Sequence, residues 1–199
     1  MQGQRSENSS RILLDKMGFT PSAVVADKNI YLIGFMGSGK TRLGVMLAET
    51  LNWPFVDTDV LIEGEQGMTI MEIFEKYGEP HFRQLELKAL EDLSNLKGRV
   101  VALGGGTPAR PQAWPYLKKS GMTVYIKRSP EQLLEQLRHD TTRPLLRTAP
   151  PDDPLSFIRA LLAEREPYYL QADLILECKD GWSKEETFYH LLCLLEGKL

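Results

Sequence analysis

GFMGSGKT, residues Gly34–Thr41, is the stretch that decides the fold of this chain, because it matches the pattern G-x-x-x-x-G-K-[ST]. The apolar run Asn29–Gly34 leads into it and an amphipathic segment follows it, which predicts a strand, a tight turn and a helix in that order. Glycines in such a turn let successive backbone N–H groups converge on phosphate oxygens, and the start of the helix adds positive partial charge. The motif therefore predicts a phosphate site in an α/β fold.

Each polar residue of this loop has an expected task. We expect Gly37, Ser38 and Gly39 to line the phosphates, and Lys40 to reach the β- and γ-phosphates. The hydroxyl of Thr41 would complete the octahedral oxygen shell of an Mg²⁺ ion. The chain is thus predicted to bind a nucleoside triphosphate with magnesium. The guanine-reading pattern Asn-Lys-x-Asp is absent, which argues against a GTP switch and leaves ATP-driven enzymes and small-molecule kinases.

Apolar runs alternate with amphipathic segments from Asn29 onward, which is typical of an α/β fold with a parallel sheet. Strands are predicted at Asn29–Gly34, Pro54–Val56, Arg99–Leu103, Thr123–Ile126 and Asp173–Glu177. Helices are predicted at about Lys40–Leu51, Thr69–Lys76, His81–Leu96, Gln112–Lys118, Pro130–Arg138, Pro154–Tyr169 and Lys184–Leu195. We expect one domain over residues 29–199, after a poorly ordered extension at residues 1–28. The proline-rich, aperiodic segment at about 138–153 is expected to be a mobile lid.

The overall composition argues against several classes of protein. The 24 Lys and Arg against 27 Asp and Glu give a net charge of −3, so bulk positive charge does not favour a nucleic-acid binder. No apolar run approaches the roughly 18–20 residues that a membrane span needs. Cys178 and Cys193 make neither a disulfide framework nor a zinc site. We therefore expect a cytoplasmic monomer with a small-molecule substrate and no nucleic-acid or membrane partner.

Two carboxylates, Asp57 and Asp59, follow the second predicted strand. In an open α/β sheet that edge is where ligands gather. One acid could serve Mg²⁺ through its waters, while the other accepts a proton or a hydrogen bond from an attacking hydroxyl. The same spacing also fits a solvated turn with an N-cap for a following helix.

Further candidate residues lie downstream of these acids. Consecutive glycines follow the third predicted strand, namely Gly104, Gly105 and Gly106. They indicate the close approach of a ligand, although a plain turn would also use them. Arg83, Arg143 and Arg165 are candidate ligands of a carboxylate or phosphate, because a guanidinium can bond two oxygens at once. An arginine alone is more often part of a surface ion pair than a ligand.

Taken together, GFMGSGKT, DTD at residues 57–59, FR at 82–83, GGG at 104–106, RPLL at 143–146 and ERxPxY at 164–169 resemble the shikimate kinase family. The resemblance spans the chain from Asn29 to about Leu195. It implies a three-layer α/β/α P-loop kinase with a central five-stranded parallel sheet and a mobile lid. It also implies ATP- and Mg²⁺-dependent phosphorylation of the 3-hydroxyl of shikimate, in chorismate and aromatic amino-acid biosynthesis.

The resemblance implies roles for individual residues. Asp59 contacts the hydroxyl that is phosphorylated, and Asp57 supports magnesium. Arg83 and Arg165 hold the substrate carboxylate, and the backbone of Gly104–Gly106 lines the ring.

The lid and the adenine site complete this set of expectations. Arg143 belongs to the lid and reaches toward the phosphates, so that Asp59, Lys40 and Arg143 form the expected catalytic group. Gln136 stands where the family usually places an arginine that stacks on adenine. Arg138 is a possible substitute from a neighbouring turn.

Two alternatives stay open at this point. Gluconate kinases have a similar phosphate loop, but the FR, GGG and ERxPxY set argues against them. A catalytically silent relative, acting as a binding module, should first lose the loop lysine or the acids. Lys40, Asp57, Asp59, Arg83 and Arg165 are all present, which favours an enzyme.

Overall fold

A central sheet of five parallel strands organises the molecule. The computed structural model describes residues 27–138, 152–196 and 198. The strands run in the order β2–β3–β1–β4–β5, with bounds β1 (Asn29–Ile33), β2 (Phe55–Asp57), β3 (Val100–Ala102), β4 (Gly121–Lys127) and β5 (Leu174–Glu177). In the middle of the sheet, Ile30 of β1 pairs with Val100 of β3 and with Met122 of β4. All five predicted strands are confirmed, and their bounds shift by no more than two residues.

Helices cover both faces of this sheet. Those in the described part of the chain are α1 (Lys40–Leu51), α2 (Thr58–Gln66), α3 (Ile70–Ser94), α4 (Trp114–Ser120), α5 (Pro130–Leu137), α6 (Pro154–Tyr169) and α7 (Lys184–Leu195). A short 3₁₀ turn, Pro111–Ala113, leads into α4. None of these described helices is both long enough and apolar enough to cross a bilayer.

The side chains of β1 show how the layers form. Tyr31 and Ile33 pack into a cluster with apolar residues of α3, α4, α5 and α6. Ile30 and Leu32 point to the opposite face and pack with α1 and α7. All four are fully buried, as expected for a parallel strand that is covered on both sides. The predicted three-layer α/β/α architecture is confirmed.

The helical predictions agree with the structure except for α2. The ranges Thr69–Lys76 and His81–Leu96 correspond to the two halves of α3, which is broken between them at Gly78 with φ 80° and ψ 167°. Helix α2 lies outside every predicted helix range. It has only nine residues, it begins directly at the end of β2 with Asp57 as its N-cap, and Gly64 interrupts its side-chain pattern. Its start therefore lacks the loop that would separate it from the strand, and its interior shows no regular apolar period.

The predicted lid at about 138–153 and the predicted extension at 1–28 lie almost entirely outside the described residues. Both therefore stay predictions.

Candidate active site

The loop between β1 and α1 has the conformation that its glycines predict. Gly37 and Gly39 have φ values of 76° and 98°, which lie in the left-handed region that favours glycine. Gly39 is also the N-cap residue of α1, so that the loop delivers its backbone directly to the positive end of a helix. This arrangement is suited to holding phosphate.

Lys40 is packed against the loop that it follows. Its Nζ donates hydrogen bonds to the carbonyl oxygens of Gly34, at 3.0 Å, and Phe35, at 2.8 Å. Lys40 is 9% exposed, so its ammonium group is held at the inner side of the loop. A phosphate arriving there would meet a positive charge already in position.

Asp57 joins the phosphate loop to helix α2. Its Oδ2 accepts a hydrogen bond from the Thr41 hydroxyl at 2.6 Å, and its Oδ1 accepts one from the backbone N–H of Asp59 at 3.0 Å. The N-cap interpretation of Asp57 is therefore correct, and it is compatible with a second role for the same carboxylate. The structure brings Thr41 and Asp57 together as neighbouring oxygen donors.

This donor set fits Mg²⁺. Among the described residues there is no group of three or more His, Cys, Asp or Glu side chains that could form a metal cage. Mg²⁺ is typically held by one or two protein oxygens, with the remaining positions filled by water and substrate phosphates. The Thr41 hydroxyl and the Asp57 carboxylate match that pattern.

One cavity contains the phosphate loop and the acids. It has a volume of about 710 Å³, and its lining includes Lys40, Thr41, Asp57, Asp59, Gly104 and Gly105. The phosphate loop follows β1, the acids follow β2 and the glycines follow β3, and these strands are neighbours in the sheet. The edge formed by their carboxyl ends brings the three segments into one cavity, as the sequence predicted.

Arg83 forms a buried ion-pair cluster. It is 7% exposed, and its Nη1 donates to Oε2 of Glu86 at 2.7 Å. Its Nε and Nη2 donate to Glu79 on the previous turn of α3. Thr107 donates to the other oxygen of Glu86 at 2.7 Å. Burial raises the pKa of Glu86, whereas the charge of Arg83 and the hydrogen bonds from Arg83 and Thr107 favour its ionised form.

The glycine turn after β3, Gly104–Gly106, packs closely against this cluster. A Cβ on Gly104 would lie 2.7 Å from both Oδ1 of Asp59 and Oε1 of Glu86, and one on Gly106 would overlap the Arg83 guanidinium. The sequence predicted that a ligand approaches these glycines. The structure shows that side chains of the protein itself, those of Asp59, Glu86 and Arg83, leave no room for a Cβ at Gly104 and Gly106. The approach of a ligand to this turn stays a prediction.

Arg165 lies on α6, close to Phe35 of the phosphate loop. It is 7% exposed, and its guanidinium carbon is 5.9 Å from the centroid of the Phe35 ring. One turn later, the Tyr169 hydroxyl donates to the carbonyl oxygen of Gly105 at 2.6 Å. Arg165 is thus buried beside the loop and is not a surface ion pair.

The structure does not place every predicted site residue in the same cavity. Arg83, Gly106 and Arg165 are absent from the described lining of the 710 Å³ cavity. Arg83 borders a separate cavity of about 320 Å³. The Gly104–Gly106 turn connects these two regions, because Gly104 and Gly105 line the large cavity and Gly106 lies against Arg83. Arg143 lies outside the described residues.

Several residues of this region were missed by the sequence analysis. Glu86 is one turn of helix after Arg83, and that spacing could have revealed it as a partner. The Thr58 hydroxyl accepts a hydrogen bond from the backbone N–H of Gly104 at 2.9 Å. This contact joins distant segments, and no local pattern predicts it. Tyr169 and Arg128 were missed for the same reason.

The large cavity is also lined by side chains outside the phosphate loop, the acids and the glycine turn, namely those of Arg128, Gln136 and Trp182. Arg128, after β4, donates from Nε to the carbonyl oxygen of Ser38 at 2.9 Å. Arg138, the suggested substitute for an adenine-stacking arginine, is 60% exposed and pairs with Glu135 at 3.0 Å.

Ser38 itself provides an observation that fits a bound nucleotide. It is 1% exposed, and its hydroxyl has no hydrogen-bond partner within the described part of the protein. A buried hydroxyl without a partner is unusual and costly.

Comparison with known proteins identifies one family. A family model described as shikimate kinase matches residues 36–196. A shikimate kinase from Caldanaerobacter subterraneus subsp. tengcongensis is 45% identical over 158 residues, which cover 79% of this chain and 91% of that relative. One from Synechococcus sp. (strain JA-3-3Ab) is 47% identical over 146 residues, covering 73% of this chain and 75% of that relative.

Solved structures agree with this comparison. A shikimate kinase from Acinetobacter baumannii in complex with shikimate superposes with a TM-score of 0.80 at 38% identity, covering 90% of this chain and 99% of that one. A gluconokinase from Sinorhizobium meliloti 1021 superposes with a TM-score of 0.56 at 17% identity, covering 87% and 94%. The second likeness is one of fold alone.

Proposed function

This chain belongs to the shikimate kinase family and has its P-loop kinase fold, and on that premise we propose that it transfers the γ-phosphoryl group of ATP to the 3-hydroxyl of shikimate. The products are shikimate 3-phosphate and ADP. The observation that carries the proposal is the single cavity in which Lys40 and Thr41 of the phosphate loop face Asp59 and the Gly104–Gly105 turn. Donor and acceptor can meet there without a change of fold.

The nucleotide end of the cavity is assigned to the phosphate loop. Backbone N–H groups of Gly37, Ser38 and Gly39 bind the phosphates, and Lys40 moves its hydrogen bonds from two loop carbonyls to phosphate oxygens. Thr41 and Asp57 would hold Mg²⁺, which would supply neutralisation of negative charge on the phosphates.

The acceptor end is assigned to Asp59 and the arginines. Asp59 orients the 3-hydroxyl and accepts its proton as the oxygen attacks phosphorus. Arg83 and Arg165 bind the carboxylate of shikimate, and the turn Gly104–Gly106 lines its ring. Guanidinium groups suit this task because they bond both carboxylate oxygens and fix the ring's orientation.

Closure is assigned to the segment around Arg143. Its guanidinium would approach the transferred phosphoryl group and stabilise the charge that develops there. Covering the site would also exclude water, which would otherwise compete with shikimate for the phosphoryl group.

The proposal is tested by a coupled ADP-release assay on the full chain with ATP and Mg²⁺. We expect turnover with shikimate and none above background with gluconate. In Asp59→Asn, kcat should fall by about 100-fold or more, because the proton acceptor is lost, while nucleotide affinity is retained. Asp92→Asn is the matched control, since Asp92 is an exposed acid paired with Lys88 on α3.

Two outcomes would contradict the proposal. Turnover with gluconate but not with shikimate would assign the chain a different acceptor. Full activity of Asp59→Asn would remove Asp59 from the reaction.

A further inference from the structure

The tyrosine of the ERxPxY segment has no task in the reaction proposed above, although its arginine does. Tyr169 is the last residue of α6 and is fully buried. Its hydroxyl donates to the carbonyl oxygen of Gly105 at 2.6 Å, across a sequence separation of 64 residues. This hydrogen bond joins the helix of Arg165 to the glycine turn.

The turn is held at two further points. The amide of Gly104 donates to the Thr58 hydroxyl at 2.9 Å, and the amide of Thr107 donates to the Gly104 carbonyl at 3.1 Å. Gly105 lies against the phosphate loop, because a Cβ there would be 3.3 Å from both the Gly34 carbonyl oxygen and the Met36 nitrogen. Of these contacts, only the bond from Tyr169 fixes the central peptide of the turn.

Peptide planarity gives this bond a consequence for the next residue. The carbonyl of Gly105 and the N–H of Gly106 belong to the same planar group and point in opposite directions. A hydrogen bond that holds the carbonyl toward Tyr169 therefore holds the N–H of Gly106 away from it. Gly106 also lies directly against the Arg83 guanidinium, so a rotation of this peptide would disturb Arg83 as well.

We propose that Tyr169 is a positioning residue for the acceptor substrate: its hydroxyl fixes the peptide between Gly105 and Gly106, and thereby the backbone and the arginine that face shikimate. The inference rests on the proposed function and adds a residue to it. The phosphate loop has hydrogen bonds of its own from Lys40 and Arg128. We therefore expect ATP binding to change little when this peptide moves, although Gly105 lies against the loop.

The chemistry of the hydroxyl suits a permanent donor. Burial raises the pKa of Tyr169 to about 12, so the phenol stays protonated and donates at every pH at which the enzyme would be assayed. Replacing it by phenylalanine would leave a partly buried carbonyl without its donor, a change that typically alters an equilibrium by about tenfold.

The chain offers a matched control in Tyr125. It is 1% exposed, its ring centroid is 5.2 Å from that of Tyr169, and its hydroxyl donates to Glu166 at 3.4 Å and not to the turn. Tyr169→Phe and Tyr125→Phe therefore each remove one hydroxyl from the same aromatic pair. Only the first removes the bond to Gly105, together with the interaction of the same hydroxyl with Arg165.

The experiment measures kcat, both KM values and the Tm of the two variants, together with shikimate binding by calorimetry in the absence of ATP. For Tyr169→Phe we expect kcat/KM for shikimate to fall about tenfold and shikimate binding to weaken in parallel, with KM for ATP within about twofold of the wild type. Tyr125→Phe should keep both substrates' kinetic constants. Introducing 4-aminophenylalanine at position 169, which restores an N–H donor, should recover most of the loss.

Three results would overturn the inference. The variants could have equal kinetics, or Tyr169→Phe could weaken both substrates equally with a fall in Tm, which is what a purely structural role predicts. If Tyr169→Phe does not fold, failure of the 4-aminophenylalanine protein to reach wild-type kcat/KM when folded would have the same meaning. A wild-type chain without shikimate-dependent turnover would instead contradict the proposed function, and the inference would fall with it.

Discussion

Charged side chains of this site already have partners inside the protein. Arg83 is bonded to Glu79 and Glu86, and Lys40 to two carbonyls of its own loop. Under the proposed function, binding of ligands would exchange these partners for substrate oxygens. An arginine can make that exchange in part, because its five N–H donors allow it to keep Glu86 while it turns toward a carboxylate.

Arg83→Lys should raise KM for shikimate by about tenfold and leave KM for ATP unchanged. A lysine supplies one point charge, so it cannot hold Glu86 and two carboxylate oxygens together. Steady-state kinetics with each substrate varied in turn measures this. The control is Arg159→Lys, since Arg159 is 56% exposed and pairs with Glu131 away from the site. An unchanged KM for shikimate would remove Arg83 from the carboxylate site.

Arg128→Ala should raise KM for ATP about fivefold with little effect on KM for shikimate. Its bond to Ser38 steadies the phosphate loop and places a positive charge in the nucleotide cavity, and a charge-assisted bond is worth more than a neutral one. Lys179→Ala controls for the loss of a positive charge, because Lys179 lies outside the described lining of that cavity. If both variants raised KM for ATP equally, the effect of Arg128 would come from net charge and not from its position in the cavity.

Prediction from sequence works at this scale where chemistry is local. The loop from Gly37 to Thr41 is one continuous segment, so its motif specifies its shape. Tyr169 and Arg128 make contacts with segments far away in the chain, and a single sequence contains no signal for such pairs. Glu86 differs from them, because its spacing from Arg83 on one helix is a local signal.

Helix starts are specified more sharply than helix interiors in this chain. Capping boxes at Thr69, Ser129 and Ser183 bond reciprocally with Glu72, Gln132 and Glu186. Helices α5 and α7 accordingly begin at the predicted residues. Helix α2 has no capping box, since its cap is Asp57 of the preceding strand, and it was missed.

Two glycines within helices should respond oppositely to the same substitution. Gly44→Ala in α1 places a methyl group on the Phe55 ring of β2 and should lower the free energy of unfolding by about 1–3 kcal/mol. Gly64→Ala in α2 meets nothing within 4 Å and should raise it by about 0.5–1 kcal/mol. Urea denaturation of both variants measures the two changes in the free energy of unfolding. Equal changes would show that α1 and β2 are not in close contact.

The architecture of the whole molecule explains why distant segments meet. The phosphate loop, the acids, the glycine turn and Arg128 each follow the carboxyl end of a different strand, and those strands are adjacent in the order β2–β3–β1–β4. Alternation of strands and helices predicted a parallel sheet. It did not predict the order of the strands, because several orders bury the same apolar surface.

Ligands should stabilise the whole fold, because the site is built from the ends of its central strands. At about 100 times Kd, a ligand adds roughly 2.7 kcal/mol to stability, so Mg-ADP and shikimate should each raise Tm by about 5 °C or more. In Lys40→Ala the shift from Mg-ADP should shrink strongly, while the shift from shikimate persists. Differential scanning fluorimetry measures both, and loss of both shifts together would indicate general misfolding of the variant.

The carboxylate of Asp57 serves two neighbours at once, with one oxygen on Thr41 and the other on the first turn of α2. A substitution that removes the cap at this position, such as Asp57→Ala, therefore alters the backbone that carries Asp59 as well as the oxygen donors offered to magnesium. A loss of activity in such a variant would therefore combine a structural and a chemical effect. Asp57→Ser keeps a helix cap but removes the anionic donor, so it would separate the two effects.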